Sequence, residues 1–242
     1  MPAIIPRSFS DFLWPRKCEL CQRPSDRDGR FICSACMMRL PVVGQTGCCR
    51  VCARPVTAPA GEFLCEECRA LPPAFDRAAA ALRFQGVVRE MLLDFKFNGH
   101  VWLRDDFADW LEAAIRVRFD VTQVDVVVPM PSTLFHRWDR GYNPCDYLGA
   151  PLAERLDRRF DVGALARCGH PRRQSDLAVA ERRANVKGTF AVRHPERIRG
   201  RTVLVIDDIL TTGATLSECA TTLKAAGAHR VWCAALARAV FD

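Results

Sequence analysis

No apolar run in this 242-residue chain approaches the roughly 20 residues that cross a bilayer, so no membrane-spanning helix is expected. The start of the chain also lacks the apolar core of a secretion signal. Phe12-Leu13-Trp14 is too short, and Pro15 interrupts it. Histidine is scarce, and the five (100, 136, 170, 194 and 229) show no paired ligand spacing. A histidine-based metal centre is therefore not expected, and they read as surface or loop residues. The composition is not extreme: hydrophobic residues at 49% and charged residues at 26% describe an ordinary globular chain. Its length allows one large domain or a domain with a module. A cytoplasmic protein without membrane insertion is the expectation.

Cysteine is the exception, with 13 residues unevenly placed. Eight fall into Cys-x-x-Cys pairs: Cys18/Cys21, Cys33/Cys36, Cys49/Cys52 and Cys65/Cys68. Corresponding cysteines recur after 31, 31, 32 and 32 residues, the mark of an internal duplication. Thiolates at this spacing converge on a tetrahedral ion, so two structural zinc ribbons, each with four cysteine ligands, are predicted. Redox pairs are the competing reading, but four tandem copies lack a thioredoxin-like surround. Sequential pairing is expected, with a cross-braced arrangement as the alternative. Cys48, next to Cys49, could compete for the register. Cys145, Cys168, Cys219 and Cys233 are isolated and read as packed, reduced thiols.

Zinc also changes the charge argument. Eight thiolates and two dications lower the formal net charge of +7 to about +3, weak evidence for nucleic acid. Its distribution says more: Arg172 to Arg201 holds nine Lys/Arg against three Asp/Glu. That segment suits DNA or a highly phosphorylated small molecule.

Along the chain, residues 1–17 read as a leading helix, 18–70 as the double ribbon, Leu71-Pro72-Pro73 as a stiff linker and 75–242 as an α/β domain with its own core. Strands are expected at Arg77–Phe84, Val124–Val128, Asp161–Ala166, Thr202–Ile206 and Arg230–Leu236. Helices are expected around Val87–Phe95, over Trp102–Arg118, over Tyr142–Leu156 (weakened by Pro144 and Pro151) and over Gly213–Ala226. Such alternation implies a doubly wound parallel sheet with a ligand above the carboxyl ends of its strands.

The most informative stretch is Val203–Thr215, which reads Val-Leu-Val-Ile-Asp-Asp-Ile-Leu-Thr-Thr-Gly-Ala-Thr. A buried strand leads into a Thr/Gly/Ala turn that opens a helix, where free amides and the helix dipole attract phosphate. Asp207 and Asp208 stand beside that anion seat, suited to sugar hydroxyls. A plain capped βα corner is the bland alternative. The whole stretch resembles the signature of type I phosphoribosyltransferases, whose substrate is phosphoribosyl pyrophosphate (PRPP). The resemblance implies that Asp207 and Asp208 hold the ribose hydroxyls and act at the catalytic centre. Thr211, Thr212, Gly213, Ala214 and the Thr215 hydroxyl would cradle the 5′-phosphate.

Three further segments narrow the likeness: Val127–Ser132 followed by Arg137 and Arg140-Gly141-Tyr142-Asn143; Gln174–Leu177 with Arg182 and Asn185–Phe190; and Leu93–Gly99. Taken singly, these read as a proline-rich loop, a solvated surface loop and a helix end whose Lys96 favours the dipole. In this order, with the ribbons, they resemble the ComF family (ComF/GntX-type proteins). The resemblance implies a type I phosphoribosyltransferase fold, Mg²⁺ bound with PRPP, and a cytoplasmic part in DNA uptake during natural transformation. It implies a pyrophosphate loop at Pro131 and Ser132 with Arg137 and Arg140 nearby. It also implies a mobile loop over 172–190 carrying Gln174, Arg182 and Asn185. One departure is that Pro144 stands where the family usually carries Gln. Single-stranded DNA and DNA-uptake proteins are possible partners, since Phe135, Trp138 and Tyr142 interleave with Arg137 and Arg140. A non-catalytic DNA-binding or ligand-sensing protein, and a transferase of nucleotide metabolism, are the alternatives. The acceptor would be chosen by a hood built from residues 75–120 and the ribbons, where no base pocket is readable.

Overall fold

Each half of the cysteine repeat folds through the same hydrogen bonds. Cys18 N–H donates to Arg23 O at 2.7 Å, and Cys49 N–H to Arg54 O at 2.7 Å. Gln22 and Ala53 then return to Cys18 O and Cys49 O with φ of 59° and 56°, a left-handed turn that aims both thiols inward. Short helices α1 (Ser34–Met37) and α2 (Glu66–Ala70) start directly after Cys33 and Cys65. Cys48 bridges Pro55 as Lys17 bridges Pro24. Cys48 therefore occupies the position of a lysine in the first copy, which removes it as a competing ligand.

The computed structural model describes residues 16–44, 47–56, 63–133, 141–168 and 186–239. The leading helix expected over 1–17 lies outside these, apart from Arg16 and Lys17.

Beyond the ribbons the described strands are β1 (Arg77–Arg83), β2 (Val126–Pro129), β3 (Arg159–Phe160), β4 (Leu165–Arg167), β5 (Phe190–Val192), β6 (Thr202–Leu210) and β7 (Arg230–Arg238). Five form one sheet in the order β1-β7-β6-β2-β3, every pair parallel, while β4 and β5 form an antiparallel hairpin. The four longer helices are α3 (Gly86–Phe97), α4 (Arg104–Arg118), α5 (Pro144–Leu156) and α6 (Ala214–Ala225). Alternate strand residues enter two separate cores, as a pleat requires. Val127, Leu204, Ile206, Trp232 and Ala234 pack beneath α3, α4 and α5, while Val126, Val128, Val203, Val205 and Cys233 pack beneath α6 and the hairpin. The sheet is doubly wound, as the alternation predicted.

The ribbons are part of those cores. Ile32 and Leu40 of the first ribbon join the α3–α4–α5 side, and Cys49, Cys52, Cys65 and Cys68 of the second join the α6 side. The cores of the α/β portion are built mainly from its own residues, and the ribbons complete them. Ribbon segments also cover β1, the edge strand: Val43 N–H donates to Ala81 O, Arg83 N–H to Pro41 O and Ala78 N–H to Val51 O, at 2.7–2.9 Å. An edge hydrogen-bonded in this way is closed to pairing with other chains. The first ribbon is further clamped by ions. Arg27 reaches Asp106 at 2.7 Å and Asp109 at 2.6 Å, Arg30 reaches Asp109 at 2.6 Å, and Phe31 N–H donates to the fully buried Asp106 at 2.8 Å.

Three element boundaries differ from the sequence reading. Of the strand expected at Asp161–Ala166, only Leu165 and Ala166 are extended, in β4, and β3 precedes the expected start. The buried Asp161 accepts from Gly163 N–H at 3.0 Å, and this turn separates the two strands. Pro144 does not weaken α5, because it sits in the first helical position, where a missing N–H costs nothing, behind the Asn143 cap. Pro151 removes one internal bond, yet the helix continues because Leu148, Leu152, Ala153 and Leu156 are buried. The third difference is β6, which runs on through Leu210 and so contains both acids. Among the described residues no helix is long and apolar enough to cross a membrane.

Candidate functional site

Strand order alone locates a crevice. From β2 the chain moves outward to β3, then returns to place β6 on the other side of β2. The helix after β2 packs on one face and the helix after β6 on the other, so the carboxyl ends of β2 and β6 diverge around a gap. Ligands of open α/β sheets bind at such a switch point.

The Thr211–Thr215 turn closes the β6 side. Gly213 holds φ of 77°, a conformation that favours glycine, and caps α6. Ala214 N–H donates to the Thr212 hydroxyl oxygen at 3.4 Å. The remaining first-turn amides of α6 have no intrahelical acceptor by construction and stand at the positive end of its dipole. Thr211, Thr212 and Thr215 are partly exposed, whereas Gly213 and Ala214 are buried.

Asp207 and Asp208 are consecutive residues near the carboxyl end of β6. Asp208 meets Lys96 of α3, with Nζ 2.8 Å from Oδ2. Asp207 has Cys145 Sγ at 3.8 Å from Oδ1. Donor atoms of Cys145, Asp207 and Asp208 fall within 4.8 Å of one another. Burial, then the Asp208 charge, pushes Asp207 up to about 7, against the pull of Lys96. Burial works to lower Lys96, but the Asp208 charge outweighs it and the ammonium is held above its ordinary value. Burial and the two acids push the Cys145 thiol well up, which keeps it protonated. The charge of Arg167, at the end of β4, also bears on Asp207.

On the β2 side, Pro129 pairs with Ile206 and Met130 N–H donates to Ile206 O at 2.8 Å. This register sets Pro131 and Ser132 next to the acid-bearing end of β6. The Ser132 hydroxyl oxygen is buried and has no partner among the described residues, as suits a group that meets a ligand. Asn143 ties this loop to α5, since its Nδ2 donates to Met130 O at 3.1 Å and to Asp146 Oδ1 at 2.7 Å. The Tyr142 hydroxyl donates to Phe95 O, anchoring the same corner to α3. Its ring packs edge-on against Tyr147.

Of the residues singled out in the sequence, Asp207, Asp208, Thr211, Thr212, Gly213, Ala214, Thr215, Pro131 and Ser132 come to the two sides of this crevice. Arg137, Arg140, Gln174, Arg182 and Asn185 lie outside the described residues, as do Phe135 and Trp138. Of the segment expected as a mobile loop, only residues 186–190 are described. Val186 is buried, Gly188 N–H donates to Glu218 of α6 at 2.7 Å, and Phe190 begins β5. Sequence reasoning missed Lys96, Cys145, Arg167 and Arg238 as neighbours of the crevice. For Arg238 a signal was present, a single charge inside the apolar run Val231–Val240.

The eight paired cysteines form two clusters, Cys18/Cys21/Cys33/Cys36 and Cys49/Cys52/Cys65/Cys68, so the pairing is sequential. A tetrahedral ion with Zn–S of about 2.3 Å sets its sulfurs about 3.8 Å apart. Cys21 and Cys33 stand 3.8 Å apart, and Cys52 and Cys65 3.6 Å apart, so the donor sets fit zinc. Without a cation the thiols share protons. Hydrogen bonds from Cys52 and Cys68 hold Cys49 far down, while those with Cys49 and Cys52 hold Cys68 far up. A dication replaces those protons.

Comparison with known proteins agrees with this division. A double zinc ribbon domain model matches residues 9–69, and a phosphoribosyl transferase domain model matches residues 144–240. Competence protein F of Haemophilus influenzae is 28% identical over 179 residues, covering 72% of this chain and 78% of its own. DNA utilization protein YhgH of Escherichia coli is 28% identical over 224 residues, covering 90% and 96%. Among solved structures, a glutamine PRPP amidotransferase from B. subtilis aligns with a TM-score of 0.40 at 16% identity, over 60% of this chain and 30% of that one. The adenine phosphoribosyltransferase of Leishmania tarentolae gives 0.38 at 15%, over 66% and 76%.

Proposed function

We infer that this chain, which belongs to the ComF/GntX-type family joining a double zinc ribbon to a phosphoribosyltransferase domain, binds PRPP with Mg²⁺ between the ends of β2 and β6. The observation that carries this reading is the meeting of two chemistries at one switch point. The amides of a glycine-capped helix start offer an anion seat, and two acids on the adjoining strand offer acceptors for a diol. A sugar phosphate satisfies both.

In this reading the 5′-phosphate lies on Thr211–Thr215, and Asp207 and Asp208 accept from the ribose hydroxyls. Ser132, with Arg137 and Arg140 from the same loop, takes the diphosphate. Residues 172–190, with Gln174, Arg182 and Asn185, close over the ligand and exclude water. Lys96 holds the Asp208 carboxylate in place before the ligand arrives. Hard carboxylate and phosphate oxygens suit Mg²⁺, which when bound neutralises diphosphate charge.

The relatives' names, a competence protein and a DNA utilization protein, support a role in the use of DNA; to this we add a cytoplasmic location, with single-stranded DNA and uptake proteins as partners. Basic residues of 172–201 are the proposed DNA contact, for which affinity should fall steeply with salt. Equilibrium binding tests the reading, with ribose 5-phosphate and pyrophosphate as separate probes of its two halves. Release of pyrophosphate with candidate nitrogen acceptors distinguishes a transferase from a ligand-sensing protein.

A further inference from the structure

Arg238 is the largest side chain that the fold buries completely, at 1% exposure. It ends β7 opposite Leu210, the last residue of β6. Its Nη1 donates to Leu210 O at 2.7 Å, to Thr211 O and to Ala239 O at 3.1 Å. A trans peptide directs its N–H opposite to its C=O. With the carbonyls of Leu210 and Thr211 turned onto the guanidinium, the amides of Thr211 and Thr212 face away from it, toward the crevice. Arg238 thus sets which way the anion seat points.

A guanidinium cannot shed its proton in a protein, and a buried one needs a counter-charge. Among the described residues no carboxylate pairs with Arg238, and its Nε has no partner. The other arm of the side chain supplies the answer: Nη2 lies 3.9 Å from Sγ of Cys52, a member of the second cysteine cluster. Four thiolates around one zinc ion carry a net charge of about −2. The chain leaving that ribbon touches the same turn. Ala74 N–H donates to the Ser217 hydroxyl at 2.9 Å, and the buried Phe75 ring lines Gly213. Among the described residues the first cluster has no such link to the turn; its ribbon docks on α4 through Arg27 and Arg30.

We propose that the second four-cysteine zinc site is the counter-charge of Arg238 and, through it, the support of the phosphate-binding turn, so that zinc at that site and an anion in the seat strengthen each other. Arg238 is a positioning residue here and touches no ligand. The proposal rests on the reading of Thr211–Thr215 as an anion seat. Because coupling between two binding sites is reciprocal, either ligand reports it.

The test follows zinc loss from full-length protein to a chromophoric chelator, with and without PRPP and Mg²⁺. The Cys36→Ser variant, emptied at the first site, assigns the rates. In the native chain PRPP should slow release of the second-site ion severalfold and leave the first unchanged. Arg238→Gln should release the second-site ion at least tenfold faster and lose the protection by PRPP, and Arg238→Lys should restore part of both. Release of both ions from Arg238→Gln at native rates overturns the proposal whether or not PRPP binds. If that variant does not fold, the native chain decides, because PRPP binding that leaves both release rates unchanged overturns it equally. Failure of PRPP to bind native protein in calorimetry is a separate result. It removes the seat reading and the support role with it, leaving the release rates to report only the pairing of Arg238 with zinc.

Discussion

Lys96 and Asp208 form an ion pair across the end of the sheet, with Nζ 2.8 Å from Oδ2 and side-chain exposures of 16% and 15%. The two adjacent acids are consequently not equivalent. Asp208 has a cation of its own, whereas Asp207 faces burial and its neighbour's charge.

Neutralising the two acids should have opposite effects on the free protein. Asp208→Asn strands a largely buried ammonium and should cost about 2–3 kcal/mol, discounted from the 3–5 typical of a fully buried pair. Asp207→Asn relieves burial of a charge and should raise Tm by about 2–4 °C per kcal/mol gained. Calorimetric unfolding of both variants at pH 8 checks this, and equal losses of stability would refute the assignment.

The gain from Asp207→Asn should also depend on pH. Asp207 titrates near 7 in the fold against 3.8 ordinarily, so between these values the folded protein binds the extra proton. Native stability therefore falls from this group as pH rises from about 4 to about 7, and the advantage of the asparagine variant grows over the same window. Denaturant unfolding of both proteins at pH 5, 6, 7 and 8 reads the difference. A difference that does not change with pH would contradict it.

Zinc removal should reach beyond the ribbons. Structural zinc contributes on the order of 10–16 kcal/mol of apparent binding energy in isolated fingers. Here the cysteines and Ile32 are packed into both cores. Metal analysis should return two zinc ions per chain, and full chelation should lower the unfolding temperature of the whole molecule in a single transition. A sheet that melts unchanged after both ions are lost would show that the cores are separable.

The clamp on the first ribbon gives a fourth prediction. Asp106→Ala removes the buried acceptor of the Phe31 amide and one of Arg27's two carboxylates, at an expected cost of about 2–3 kcal/mol, below the 3–5 of a fully stranded pair because Arg27 keeps Asp109. Hydrogen exchange should then report loosening of residues 17–40 ahead of β6 and β7. Uniform protection across the chain would contradict this.

What the sequence made legible were features with a local cause. Four Cys-x-x-Cys pairs at a fixed offset announce two zinc sites, and Val203–Ile206 followed by a Thr/Gly/Ala turn announces a buried strand feeding a helix. What escaped was set by tertiary contact. Lys96 looks like any helix-ending lysine until α3 is laid over the sheet. Cys145 looks like core until α5 starts beside Asp207. The acids looked terminal because hydrophobicity stops at Ile206, yet β7 supplies pairing through Arg238 and extends β6 by four residues. That the ribbons share the cores is likewise a matter of docking, and no periodicity records it.

The most direct measurement is titration calorimetry of PRPP and Mg²⁺ into zinc-loaded native protein and into the Asp207→Asn, Asp208→Asn double variant. Hydrogen bonds from sugar hydroxyls to carboxylates, at about 1.5–3 kcal/mol each, become weaker neutral ones in the variant. The native chain should bind one PRPP, and the folded variant should bind it at least tenfold more weakly. No binding to the native chain, or equal affinity in both proteins, would contradict the account.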